Sequence, residues 1–124
     1  MNILLWIITC LLAVAFLAAG VIHLLQPKEK LADSGMAWTN DFSAGTVKLI
    51  GAFEILGAIG LIVPAVTGIA PILVPLAALG LVVVMLGAAV VHTRRKESQV
   101  VIFNVILLLL AAVVAWGRFG PYAF

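Results

Sequence analysis

Charge is scarce in this sequence. Only 10% of its 124 residues are Asp, Glu, Lys or Arg, against about 25% in an ordinary soluble domain. Cysteine is scarcer still. Cys10 stands alone, which excludes an intramolecular disulfide, a Cys-x-x-Cys dithiol relay and any zinc site built from several thiolates. No nucleophile motif, internal repeat or low-complexity segment interrupts the chain. The seven basic residues give a pI of about 9.0, yet the net charge is only +2. They fall in prospective loops and at helix ends rather than in a stripe on a polar face, so a nucleic-acid partner is excluded.

What is abundant is hydrocarbon. Hydrophobic residues make up 65% of the chain and the mean hydropathy is +1.32. The composition predicts an integral membrane protein whose partner is the lipid bilayer, folded as one domain over residues 1–124. The expected fold is all-α, a transmembrane four-helix bundle with spans at about 3–25, 45–63, 72–92 and 99–117. Each apolar run is long enough to cross a hydrocarbon core of ~30 Å. A cleaved signal peptide competes for the first run, since Ala18-Ala19-Gly20 looks like a cleavage region. It would need a basic leader, whereas only Asn2 follows Met1, so the run is expected to be retained as the first span.

Proline and glycine mark the breaks. Pro27 ends the first span, and residues 27–35, with Pro early and Gly35 last, suit a short interfacial helix between the first two spans. Trp38 and Phe42 read as interfacial anchors or as part of a lid over a membrane pocket. Asp41 or Ser43 can cap the second span, and Pro64 is expected to stop it. Pro75 lies in the first turn of the third, where its missing N–H costs little. Gly120-Pro121 finishes the fourth. Lys28, Lys30, Arg94, Arg95 and Lys96 sit on one side of the membrane and Arg118 on the other. The excess of basic residues places loops 26–44 and 93–98 in the cytoplasm.

Against this background a few polar side chains stand out. Glu54 is the only acidic residue inside an apolar helix-length run. A carboxylate facing lipid costs roughly 2.5–3.5 kcal/mol on insertion scales, so Glu54 is expected to face a protein interior or a wet cavity. His23, His92 and Asn104 lie toward the same side of the membrane on the other three spans. A helical step of about 100° puts His23 on a face with Leu12, Phe16 and Ala19. It puts Glu54 with Val47, Gly51, Ala58 and Leu61; His92 with Ala78, Leu81, Met85, Ala88 and Ala89; and Asn104 with Leu108, Ala111, Ala115 and Arg118. On the second, third and fourth spans the polar face is thus also the small-residue face, as close helix approach in membranes requires. Lys48 lies about 120° from Glu54 by the same step and reads as a snorkelling lysine or a bent-path ion-pair partner.

Glu54, His92, Asn104, His23 and Lys48 are therefore the candidate ligand-binding residues. Phase turns both Glu54 and His92 inward, and antiparallel second and third helices would bring them together as a proton-sharing pair. Each candidate also has a plain structural reading: the histidines as wet helix-end residues, Asn104 as interhelical glue. Cys10 is expected to be an inert packing residue, for nothing apolar activates a thiol.

The run Lys48-Leu49-Ile50-Gly51-Ala52-Phe53-Glu54-Ile55-Leu56-Gly57-Ala58-Ile59-Gly60-Leu61 resembles the second-helix segment of the DoxX-like family. Residues 85–92 with the basic residues that follow resemble that family's third helix. Ala18-Ala19-Gly20 with His23 and Pro27-Lys28 resembles the end of its first, and Ala115-Trp116-Gly117-Arg118 its C-terminal end. The resemblance implies a small four-helix membrane protein. The family name is tied to a membrane subunit of an archaeal thiosulfate:quinone oxidoreductase, and other relatives are linked to oxidative-stress complexes or membrane assembly. It thus implies a place in the plasma membrane of a prokaryote and a redox-related complex, with a quinone as the possible cofactor. Four readings follow: a subunit binding the polar head of a quinone or other lipophilic small molecule, an assembly factor packing on a membrane partner protein or a second copy, a small acid–base enzyme acting on a lipophile, and a dimeric transporter.

Overall fold

Inside hydrocarbon every backbone N–H and C=O must find a partner within the chain, and a helix meets that demand segment by segment. The computed structural model of the chain, which describes residues 2–26, 30–31 and 42–123, resolves the four apolar runs into four such helices. They are α1 (Asn2–Leu25), α2 (Ala44–Thr67), α3 (Leu73–Arg94) and α4 (Ser98–Phe119), each long and apolar enough to cross a membrane. The interfacial helix expected over residues 27–35, and the anchor Trp38, lie outside the described residues apart from Lys30 and Leu31.

The caps explain most of the boundaries. Ser43, not Asp41, opens α2: its backbone is extended and its hydroxyl accepts the Thr46 N–H at 3.1 Å. Pro64 does not stop α2. The helix runs one turn further, to Gly68, whose N–H bonds to the Pro64 carbonyl at 3.0 Å with Gly68 at φ 72°, in the left-handed region that glycine enters freely. Proline so near a helix end loses little more than one ladder bond, that to the Gly60 carbonyl. Pro75 sits in the first turn of α3, among N–H groups that have no helical partner.

The helices form an antiparallel ring in chain order. α1 lies closely along α2 and α3 closely along α4, while the seams between α2 and α3 and between α1 and α4 are looser. Gly57 of α2 faces Leu81 of α3, and one turn on in α2 Gly60 faces Ala77, one turn earlier in α3. At the far end the ring is closed by Arg118, which is buried. It donates to Asn2 Oδ1 at 2.6 Å and to the Tyr122 carbonyl at 2.8 Å, and its guanidinium lies 5.8 Å from the Trp6 ring centre.

All four helices contribute to a single apolar core, among them Leu12 and Phe16, Ala58 and Leu61, Leu81 and Met85, Ala111 and Val114. Large apolar side chains elsewhere, such as Leu11, Phe53, Leu86 and Ile102, are exposed on the outer surface. That inversion suits lipid as solvent. Cys10 belongs to this outer surface: it is exposed beside Trp6 and Leu11 rather than packed inside.

Candidate functional site

One end of the apolar core is bounded by polar groups. His23 lies seven residues beyond the core residue Phe16, and His92 seven beyond Met85; Asn104 precedes Ala111 by seven and Glu54 precedes Ala58 by four. These intervals keep each polar group on its helix's core-facing stripe. All four are buried, from 4% exposed for Glu54 to 7% for the two histidines.

The closest contact among them is His23 Nδ1 to Glu54 Oε1, at 2.6 Å, joining α1 to α2. Glu54 stands ten residues into α2, about 15 Å along the axis, and His23 in the last turn of α1. A close approach of the two helices makes the reach possible. A Cβ on Gly20 would lie 2.7 Å from the Gly51 carbonyl oxygen, and one on Gly51 would lie 3.0 Å from His23 Cβ. Only glycine leaves that space, so Gly20 and Gly51 set the pair one turn away from each.

A His–carboxyl contact of this length can share one proton in either of two arrangements. In one an imidazolium N–H donates to a carboxylate; in the other a carboxylic acid donates to a bare imidazole nitrogen. Both are neutral overall, so neither requires an uncompensated charge to be buried. Removing the proton, or adding a second, would leave a net charge in a low-dielectric interior.

His92 pairs elsewhere. Its Nδ1–H donates to Glu97 Oε1 at 3.0 Å, and Arg95 Nε donates to the same oxygen at 3.1 Å. The expected Glu54–His92 pair is therefore replaced by two His–Glu contacts, one inside the bundle and one at the turn between α3 and α4. Lys96, in the left-handed region at φ 59°, turns the chain so that the Glu97 N–H reaches the His92 carbonyl at 3.0 Å. The His92 hydrogen bond, aided by the charges of His92 and Arg95, holds the Glu97 carboxyl below the usual carboxylate range although partial burial works against it.

Asn104 is buried on the inner face of α4. Its Nδ2 is fully buried and makes no hydrogen bond among the described residues. Lys48 is exposed, as a snorkelling side chain would be, and lies outside the buried group. Sequence reasoning places the buried residues on the right faces but misses two contributors to this end and one contact at the other. Glu97 looks like one charge in a polar turn. Gly20 gives one signal, a small residue one turn before an inward histidine. Arg118 shares the Asn104 face, yet nothing in the pattern points to Asn2.

The model of the DoxX-like family matches residues 7–114, which reaches into all four helices and includes His23, Glu54, His92, Glu97 and Asn104. The chain belongs to the DoxX-like family. No curated protein and no solved structure gives a significant match. Family membership and four apolar helices make this DoxX-like chain a multi-pass membrane protein.

Proposed function

We propose that this DoxX-like protein binds the polar head of a quinone or another lipophilic small molecule at its polar end, as a subunit of a redox-related membrane complex, and that the His23–Glu54 pair manages a proton there. One observation carries the reading: a histidine and a carboxylate 2.6 Å apart, both buried, at the end of a largely apolar core. An intramembrane ionisable residue costs free energy wherever it sits, and an apolar pair of similar volume would hold α1 to α2 at no such cost. A pair that is neutral with one proton can pass that proton to a ligand oxygen and be recharged from the same side. Asn104 supports the reading with an amide whose nitrogen is still to be satisfied. The excess of basic residues beside this end supports a topology in which it lies, with loops 26–44 and 93–98, on the cytoplasmic side of a prokaryotic plasma membrane.

The test is ligand retention. Protein purified in mild detergent is analysed by native mass spectrometry and organic extraction, beside Glu54→Gln, which keeps the shape and a hydrogen bond but cannot ionise. The expected result is a stoichiometric quinone or lipid in the wild type that is lost or strongly weakened in the variant. Equal retention by both proteins, or none by the wild type in detergent and in nanodiscs, would overturn the reading.

A further inference from the structure

Both members of the polar pair are buried, so a ligand that reaches them needs a way in. The two tight helix pairs meet along the looser α2–α3 seam, and that seam carries a groove of about 230 Å³ on its lipid side. Phe53, Leu56 and Gly57 of α2 form one wall and Ala77, Gly80, Leu81 and Val84 of α3 the other. Glu54 lies in sequence between Phe53 and Gly57. By helical phase Gly57 stands about 60° from Glu54 on the α2 surface, between the groove and the bundle axis.

At Gly57 the wall is thin. The three nearest atoms that a Cβ there would meet, at 2.7, 3.1 and 3.5 Å, all belong to the Leu81 side chain. Leu81 itself is 1% exposed and belongs to the core while also lining the groove. Leu81 thus packs directly on the bare backbone of Gly57, one turn from Glu54, and touches both groove and core. A leucine can change rotamer without moving a helix, and glycine opposite leaves no side chain to block the opening.

We propose that the α2–α3 seam is a lateral portal, gated by Leu81 over Gly57, through which a hydrocarbon-tailed amphiphile enters from the membrane. The head passes inward to the His23–Glu54 pair and the tail stays in the groove between Phe53 and Val84. The portal rests on the binding role proposed above and adds to it the route and the ligand class: a molecule dissolved in the bilayer, with an apolar tail, rather than one arriving from water.

The seam can be locked. A Cβ on Gly60 would lie 2.9 Å from Ala77 Cβ, and a disulfide spans Cβ atoms about 3.8 Å apart, so Gly60→Cys with Ala77→Cys bridges α2 to α3 after a parting of less than about 1 Å. Cys10→Ser removes the native thiol. The probe is a benzoquinone with a ten-carbon tail ending in a photoreactive diazirine, added to nanodiscs. Cross-linking is followed over time in the reduced and oxidised forms of the same protein and in Leu81→Ala. The expected results are labelling of peptides around Phe53 or Val84, at least tenfold slower labelling when oxidised, recovery on reduction, and severalfold faster labelling in Leu81→Ala. Labelling that is site-specific, competed by untailed quinone and indifferent to the disulfide would overturn the portal while leaving the binding role standing. No saturable labelling of the reduced protein or the wild type would overturn both.

Discussion

Gly20 and Gly51 each occupy the space that a side chain on the other helix would need. A Cβ on Gly20 would meet the Gly51 carbonyl oxygen at 2.7 Å, and a Cβ on Gly51 the Gly20 carbonyl oxygen at 2.8 Å. Backbone cannot rotate aside as a side chain can, so α1 and α2 must part to admit a methyl group. Either Gly→Ala change should therefore destabilise the bundle, by about 1–3 kcal/mol as overpacking does, and lengthen the His23–Glu54 contact. Gly80 and Gly87, where a Cβ would meet nothing within 4 Å, supply the control: alanine there should be neutral or gain up to about 1 kcal/mol of helix propensity. Thermal unfolding of the four variants in one detergent makes the comparison. Equal effects at all four sites would show that the close crossing does not matter.

The His23–Glu54 contact should behave as a coupled unit. Glu54→Leu takes from the buried His23 a short hydrogen bond, and losing one partner of a buried bond costs about 1–3 kcal/mol. His23→Phe should cost a similar amount from the other side. The double variant replaces both by apolar groups and should recover much of the loss. A double-mutant cycle on thermal stability measures the coupling, expected at about 1 kcal/mol or more. Additive losses would mean that the two side chains do not stabilise one another.

Hydropathy and helical phase make much of this arrangement legible in the sequence. Val47, Gly51, Glu54, Ala58 and Leu61 share a helical face, and all five are buried. The same phase argument holds for His23, His92 and Asn104. Phase, however, reports only that a residue turns inward and not which neighbour it meets. His23 meets Glu54 because two glycines let α1 approach α2, and helix order around the ring is not written in hydropathy. His92 is drawn away by Glu97, five residues on, through a turn whose left-handed Lys96 is not a residue type that announces such a turn. Pro64 misleads because its rule is strongest in mid-helix, and it lies three residues from the end of α2.

Orientation can be read with single cysteines in a Cys10→Ser background. Basic residues flank the polar end, and the proposed topology puts Ser34 and Ser98 in the cytoplasm. A membrane-impermeant maleimide should label Ser34→Cys and Ser98→Cys only after cells are opened, whereas a cysteine at Gly68, at the other end of α2, should react on intact cells. The reverse pattern would invert the topology.

Glu97 gives the polar end a pH response. Its carboxyl titrates below its ordinary value of 4.5 because His92 and Arg95 hold the ionised form. A depressed folded-state pKa means that the folded protein binds protons less readily than the unfolded chain, so stability falls as pH falls. The Glu97 contribution should be complete above about pH 4.5, its unfolded value, and lost as pH drops through the lower folded value. Glu97→Gln removes the response: wild type should be the more stable at pH 6–7, and the two curves should converge in strong acid. His92→Gln should move the Glu97 titration, followed by carboxyl NMR or infrared spectroscopy, upward toward the ordinary value. An unchanged titration would mean that Arg95 alone holds the charge.

Asn104 offers the clearest separation of stability from function. Its amide nitrogen is buried and makes no hydrogen bond among the described residues, and leaving such a donor unsatisfied costs about 1–3 kcal/mol. Leucine has the same branched skeleton and no polar atom to desolvate. Asn104→Leu should therefore raise the thermal stability of ligand-free protein by about 1–3 kcal/mol, unlike a residue that joins helices. If the amide is kept for a ligand, the same substitution should lose the added stabilisation that a bound quinone confers on the wild type, since a ligand that binds the folded state stabilises it by RT ln(1 + [L]/Kd). Two melting curves for each protein, with and without the tailed quinone, measure both quantities. A destabilised Asn104→Leu variant that still responds fully to the quinone would make Asn104 a structural contact and remove it from the site.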